Sequence, residues 1–404
     1  MKRALFLISL LSVVFSSCKQ EINTEIPTID LSNADQLFGV CSAQNVAKNI
    51  RYIPLKTDDE TIVGRVFNVY YHNGMIFFYD NENTIFVFSD KGDIISKFNR
   101  SGRGPEEYSS INRLSIDPYS NHLLVGDRQS YLEYDFHGNF IRSIPLPQSI
   151  EGYISSISDL QPVKDGKYVG TLVSRSTIGA LSGYVSDASG NILRTIETPV
   201  QKTEEPEVIK NAPRESSESD DNTYMQMAIV MFSPNIYAYE DRIVIYCDKF
   251  NHIISTDGNT VDTLFQMTFG KFARKDSNGT SKDFLSLNRI MESKKHLLLR
   301  FSAGGGLKKG SSALTRAIYN KSTGEIVILD ASKDGAGNLI DSENPGLNFW
   351  PSYISRDGKT AVGKIEAINF KEMADNPSNS EKIRKMGAEI DEDDNFVVVI
   401  MDMK

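Results

Sequence analysis

Short runs of alternating apolar and polar residues, each broken by a glycine-centred turn, recur along most of the chain. The phrase reads Phe86-Val-Phe-Ser-Asp-Lys-Gly-Asp-Ile-Ile95 and Leu132-Glu-Tyr-Asp-Phe-His-Gly-Asn-Phe-Ile141. It returns at Tyr184–Leu193, Ile253–Val261 and Ala317–Ile328. β-Branched and aromatic residues flank every turn, and the period of two marks half-buried strands. Glycine suits the turns because tight hairpins demand positive φ, which it adopts without a Cβ clash. The turn glycines stand at 92, 138, 190, 258 and 324, so the intervals are 46, 52, 68 and 66 residues. The two shorter intervals match one four-stranded propeller blade of roughly 40–50 residues. The longer two require insertions, supplied by the acidic stretch 201–222 and the glycine-rich stretch 301–312, both predicted loops. A further polar stretch, 371–385, is read as a place for a short helix.

A second strand pair precedes each repeated hairpin. These pairs are Val66–Tyr71 with Met75–Tyr79, Leu114–Asp117 with His122–Val125, and Ile154–Asp159 with Tyr168–Val173. Ile236–Tyr239 with Ile243–Tyr246, and Arg289–Glu292 with His296–Arg300, complete the set. A sixth unit has only a hairpin over Tyr353–Ile365 and a last strand at Phe396–Met403. Its missing fourth strand is Arg51–Leu55, which stands before the first unit without a partner. The predicted fold is therefore all-β: one six-bladed β-propeller of four-stranded antiparallel blades over 36–404. Its ring is closed by the N-terminal strand joining the last blade, which removes a sheet edge. An open sandwich array or two smaller β domains would leave the orphan end strands unexplained.

Ahead of this domain, Met1-Lys2-Arg3 gives a positive start and Ala4–Phe15 an apolar run, followed by Ser16-Ser17-Cys18. That is the layout of a lipoprotein signal over 1–17, with Cys18 as the lipid-bearing N-terminus and 18–35 as a tether. The run is shorter than the roughly twenty residues a spanning helix needs. A plain signal peptide cleaved elsewhere is the other reading. The expected address is the cell envelope, tethered to the outer membrane on its periplasmic or outward face. The net charge of −9 and the scattered Lys and Arg argue against nucleic acid as a partner. Cys41 and Cys247 lack the close spacing of a metal or redox motif, and either pair or stand as buried thiols. The five His show no ligand spacing, so no metal or other cofactor is expected.

Ile53-Pro54-Leu55, Ile62-Val63-Gly64 and the phrase Asn99-Arg-Ser-Gly-Arg-Gly-Pro-Glu-Glu-Tyr108 resemble the six-bladed β-propeller lipoproteins of Bacteroidetes. More distantly, the unit resembles an NHL-type repeat with its Gly-rich link before each inner strand. Phe15 ahead of the serines fits the tolerant lipobox of that group. The resemblance spans nearly the whole mature chain and implies a fold and an envelope address. A fold does not imply an activity.

Candidate ligand-binding residues lie in the links. Arg65, Arg103, Tyr108 and Trp350 precede blades one, two and six; Arg113 begins the inner strand of blade two, and Arg128 follows Asp127. Arg grips a carboxylate or hydroxyl pair with two donors, and Tyr or Trp stacks on a sugar. The plainer readings stand beside these. Gly102, Gly104 and Pro105 fix a tight inter-blade crossing, and the lone Trp is an inter-blade wedge. Asp80, Asp127 and Asp248 recur after the second strands and cap turns there; as an alternative, equivalent acids would hold a central-channel Ca2+. No nucleophile elbow, zinc-protease or P-loop phrase occurs, so catalytic residues are unassigned. The chain reads as a non-enzymatic binding or scaffold propeller for glycans or a partner protein. The competing class is a polysaccharide lyase or hydrolase with its site at the propeller mouth.

Overall fold

The computed structural model describes residues 26–147, 149–150, 153–154, 159–171, 181–197, 234–247, 251–273, 284–303, 307, 314–330 and 337–404. Cys18, Asp248 and the acidic stretch 201–222 lie outside them. Six antiparallel blades form the ring, each ordered from inner to outer strand. Blade one is Tyr70–His72, Met75–Tyr79, Ile85–Ser89 and Ile94–Phe98. Blade two is Arg113–Asp117, His122–Gly126, Ser130–Asp135 and Phe140–Pro145. Blade three is Leu160–Val163, Lys167–Thr171, Leu181–Ser186 and Ile192–Glu197. Blade four is Asn235–Tyr239, Arg242–Tyr246, His252–Thr256 and Val261–Thr268. Blade five is Leu285–Glu292, His296–Ala303, Leu314–Asn320 and Ile326–Leu329.

Blade six consists of Tyr353–Ile354, Thr360–Ile365 and Val397–Met403, with Ala47–Pro54 as its outer strand. The predicted closure is thus present, with Ile50 opposite Met401 and Tyr52 opposite Val399. Alternation along Val397–Met403 explains why the closure holds. Val397, Val399, Met401 and Met403 join the cluster with Leu298 and Ile318 of blade five. Val398 and Ile400 join Ile76, Phe78, Phe86 and Phe88 of blade one. A strand with a period of two therefore serves two inter-blade cores at once. The same alternation builds the core between blades one and two (Phe77, Val87, Leu123, Val125) and between three and four (Val169, Val185, Ile243, Ile254).

Two features depart from the expected outline. The boundary between tether and propeller moves forward from residue 36. Thr28–Asp30 pairs in parallel with the outer strand of blade four, and Phe38–Gly39 pairs with that of blade five. The N-terminal segment therefore runs along the rim of two blades as a fifth strand before closing the sixth, covering edges that would otherwise be open. The stretch 371–385 was expected to hold one short helix. It falls within a helical hairpin, Ala367–Ala374 and Glu381–Glu389, inserted between the second and third strands of blade six. Ser380 caps the second helix through the Ile383 amide, and Phe370, Ala374 and Ile383 bury against the blade. The predicted inner strand Ile154–Asp159 starts later, at Leu160, with residues 155–158 outside the described set.

The repeated turn glycines do more than supply φ. Gly92 (φ 93°) lies against the carbonyl of Pro54, the end of the closing strand, where any Cβ would collide. Gly138 (φ 84°) lies in the same way against the Phe98 ring of the preceding blade. These two turns, and that of Gly190 against Pro145, thus dock on the outer strand of the neighbouring blade. Cys41 and Cys247 are both buried and are not joined to each other by a disulfide.

Candidate functional site

Inner strands of a propeller start at one face and converge on the central axis, and here all six blades line a single cavity of about 270 Å³. Asn68 and Asn112 precede the inner strands of blades one and two, Asn235 opens that of blade four, Asp159 precedes that of blade three, and Asn288 lies within that of blade five. Tyr70, Tyr79, Tyr237, Tyr246 and Tyr353 complete much of the wall. Burial pushes the Tyr246 and Tyr353 phenols up to about 12, and raises those of Tyr70 and Tyr237 as well. All four are neutral near pH 7 and keep their O–H donors. Tyr246 uses its oxygen to accept from the Ile290 amide at 3.1 Å.

Three arginines enter this cavity. The Arg113 Nε lies 2.6 Å from Asp159 Oδ1. Burial raises the Asp159 pKa, against the pull of Arg113 and Arg289. Arg289 and Arg300 face each other directly across the first two strands of blade five, beside a bulge between Leu287 and Arg289. Arg289 donates to Asn68 Oδ1 at 3.2 Å, while the Arg300 Nε is buried without a hydrogen-bond partner. Among the described residues no carboxylate pairs with either. Burial and then the neighbouring Arg289 charge lower the Arg300 pKa. At the far end of the strand the opposite holds. Glu292 accepts from Tyr237 at 2.8 Å and from Arg242 and Lys321 at 2.9 Å each.

The face carrying the inner-strand hairpins is bridged by Arg356. Its guanidinium donates to the carbonyls of Glu240 and Pro162 and to the Tyr119 hydroxyl, joining blades four, three and two. Arg356 thus ties three blades together on this face, and Asn68, Asn112 and Asn235 stand toward the opposite, link face.

Of the residues singled out from sequence, only Arg113 lines the cavity. Tyr108 is fully buried, accepting from the Arg100 amide and donating to the Asn83 carbonyl, both at 2.9 Å. Burial pushes its pKa up to about 12. It anchors the link rather than presenting a ring to a ligand. The Glu107 carboxylate folds back onto the Gly104 amide at 2.9 Å, so this link is the tight crossing that was weighed as the plainer reading. Arg103 and Arg128 are exposed outside the cavity lining. Arg65 sits 5.0 Å over the exposed Phe67 ring, one residue before Asn68 and away from the other candidates. Trp350 wedges against the blade five–six core, with the Arg316 guanidinium 5.3 Å from its ring. The expected convergence of Arg65, Arg103, Tyr108 and Trp350 at one mouth does not occur, because links in a propeller return to the outer rim as well as to the axis. Asp80 caps its turn through the amides of Gly64, Glu82 and Thr84, and Asp127 accepts from Ser109; neither lines the channel. The Asn before or within the inner strands of four blades was the signal that sequence reading passed over.

A family profile described as a domain of unknown function, DUF4934, matches residues 26–402. No curated protein matches the sequence. A crystal structure of a Bacteroides fragilis protein described as exported superposes with a TM-score of 0.65 at 16% identity, covering 94% of this chain and 100% of its own. A DUF4221-family protein of Bacteroides vulgatus gives a TM-score of 0.49 at 13% identity, covering 89% and 97%. At such identities the first likeness is one of fold.

Proposed function

We propose that this chain, which belongs to the DUF4934 family, is a non-enzymatic binding propeller of the cell envelope whose ligand site is the central channel. The observation that carries the reading is the polar lining of the channel, with an Asn amide from each of four blades. An Asn amide both donates and accepts, which suits hydroxyl-rich ligands such as glycans. Lipid attachment at Cys18 belongs to the same proposal, resting on the signal-like N-terminus and on the resemblance to envelope lipoproteins.

The test is incubation of the purified full chain with a panel of plant, algal and host glycans. Retention without turnover is expected; release of shortened products would replace the binder with a polysaccharide-active enzyme. Membrane fractionation of Cys18→Ala checks the anchor. The variant is expected in the soluble fraction, and identical fractionation of variant and parent would remove the lipid from the proposal.

A further inference from the structure

The pairing of Arg289 with Arg300 asks for an explanation that the fold does not supply. Directly opposed like charges on neighbouring strands destabilise a sheet. Elsewhere in this ring buried carboxylates find hydrogen-bond donors or cations, as Asp80 finds backbone amides and Glu292 finds Arg242 and Lys321. Among the described residues the Nε of the partly buried Arg300 has no partner, and the side-chain hydrogen bond of Arg289 goes to the neutral Asn68. Both side chains line the channel. With Arg113 paired to Asp159, and Glu292 paired to Arg242 and Lys321, Arg289 and Arg300 are the lining charges left without a carboxylate partner among the described residues.

We propose that Arg289 and Arg300 seat the carboxylate of a sugar acid, with the ring hydroxyls read by the Asn amides at the cavity mouth. The inference rests on the channel being a ligand site and adds the ligand class. Two guanidinium forks suit a planar carboxylate, which accepts paired N–H donors. The cavity of about 270 Å³ is near the low end of ligand pockets, roughly 300 Å³, so it takes one ring rather than a chain. A longer acidic glycan would therefore enter by its terminal residue. The bulge beside Arg289 is the local device that turns its side chain into line with Arg300.

The experiment is calorimetric titration of the full chain in detergent with sodium glucuronate and galacturonate, against glucose, galactose, inorganic phosphate and sulfate. A uronate is expected to bind with one site per chain while neutral sugars and the tetrahedral anions bind more weakly. Arg300→Gln and Arg289→Gln are each expected to weaken uronate binding by about tenfold or more, as for loss of a charge-assisted partner. Unliganded Arg300→Gln is expected to melt no lower than the parent, since it relieves repulsion, whereas a structural tie would lower it. Arg300→Lys keeps the charge without the fork, so it guards against misfolding of the Gln variants and is expected to lose part of the affinity. Neutral sugars binding as well as uronates, untouched by these variants, would overturn the carboxylate seat and leave the channel reading standing. Phosphate or sulfate binding as tightly as uronate would make the pair a general anion site and overturn the assignment. No binding by any glycan, acidic or neutral, would overturn both.

Discussion

Blade two and blade five treat buried charge in opposite ways. In blade two the Glu133 carboxylate, 1% exposed, accepts from His122 Nδ1 and from Arg142 Nε, both at 2.6 Å. Arg142 goes on to donate to the Tyr168 hydroxyl of blade three at 2.8 Å. That cluster is complete, and its task is to join two blades. In blade five Arg289 and Arg300 stand opposite each other at the axis with no acid between them. A buried charge without its counterpart costs free energy unless something outside the chain completes it. The difference separates a structural tie from a place that waits for a ligand.

The largest effect should come from breaking the complete cluster. Glu133→Ala leaves Arg142 and His122 without their acceptor, and a loss of about 3 kcal/mol is expected in urea unfolding. A loss below about 1 kcal/mol would mean that the half-exposed Arg142 recovers its hydration freely. Next comes Asp159→Asn, which removes the acid beside Arg113. Arg113 is half exposed, so a cost of about 1 kcal/mol is expected. A gain in stability would show that Asp159 is itself held at a cost.

A pH titration sharpens the picture of blade five further. His296, 8% exposed, opens the strand that carries Arg300, and its Nδ1 has no partner. Burial, then the nearby Lys295, Lys404 and Lys321, lower its pKa below the usual 6.5. The unfolded chain therefore takes up this proton first as pH falls. The contribution is intact above about 6.5 and is lost as pH drops from there toward the lower folded pKa, by at most about 1.4 kcal/mol per pH unit. His296→Gln should flatten the stability difference between pH 7.5 and pH 5.5; an unchanged slope would assign the acid sensitivity elsewhere. The smallest effect belongs to Arg103→Ala. Exposed and outside the cavity, it should change stability by no more than about 0.5 kcal/mol and leave ligand binding untouched. Loss of binding would return the link to the site.

The blades were legible because their signal is local. Alternation over five or six residues and a glycine at positive φ are properties of short stretches, so the hairpins around Gly92, Gly138 and Gly190 could be read directly. Closure followed from counting, since Arg51–Leu55 and Phe396–Met403 each lacked a partner. Thr28–Asp30 gave no such signal, because three residues with one buried Ile29 are too short to show a period. Of the residues singled out by their chemistry, only Arg113 lines the channel. Arg103, Tyr108 and Trp350 are conspicuous by chemistry, yet Tyr108 and Trp350 serve packing and Arg103 points to solvent.

The sequence by itself determined an all-β chain of six repeating units and the strand that closes them, because periodicity and turn chemistry act between neighbours in the chain. Only the tertiary structure decided which side chains meet at the axis. Asn68 and Arg289 are 221 positions apart yet hydrogen-bonded, and no local pattern encodes that meeting. The opposition of Arg289 to Arg300 likewise depends on the register past a bulge, and a shift of one residue would turn either side chain to the other face of the sheet.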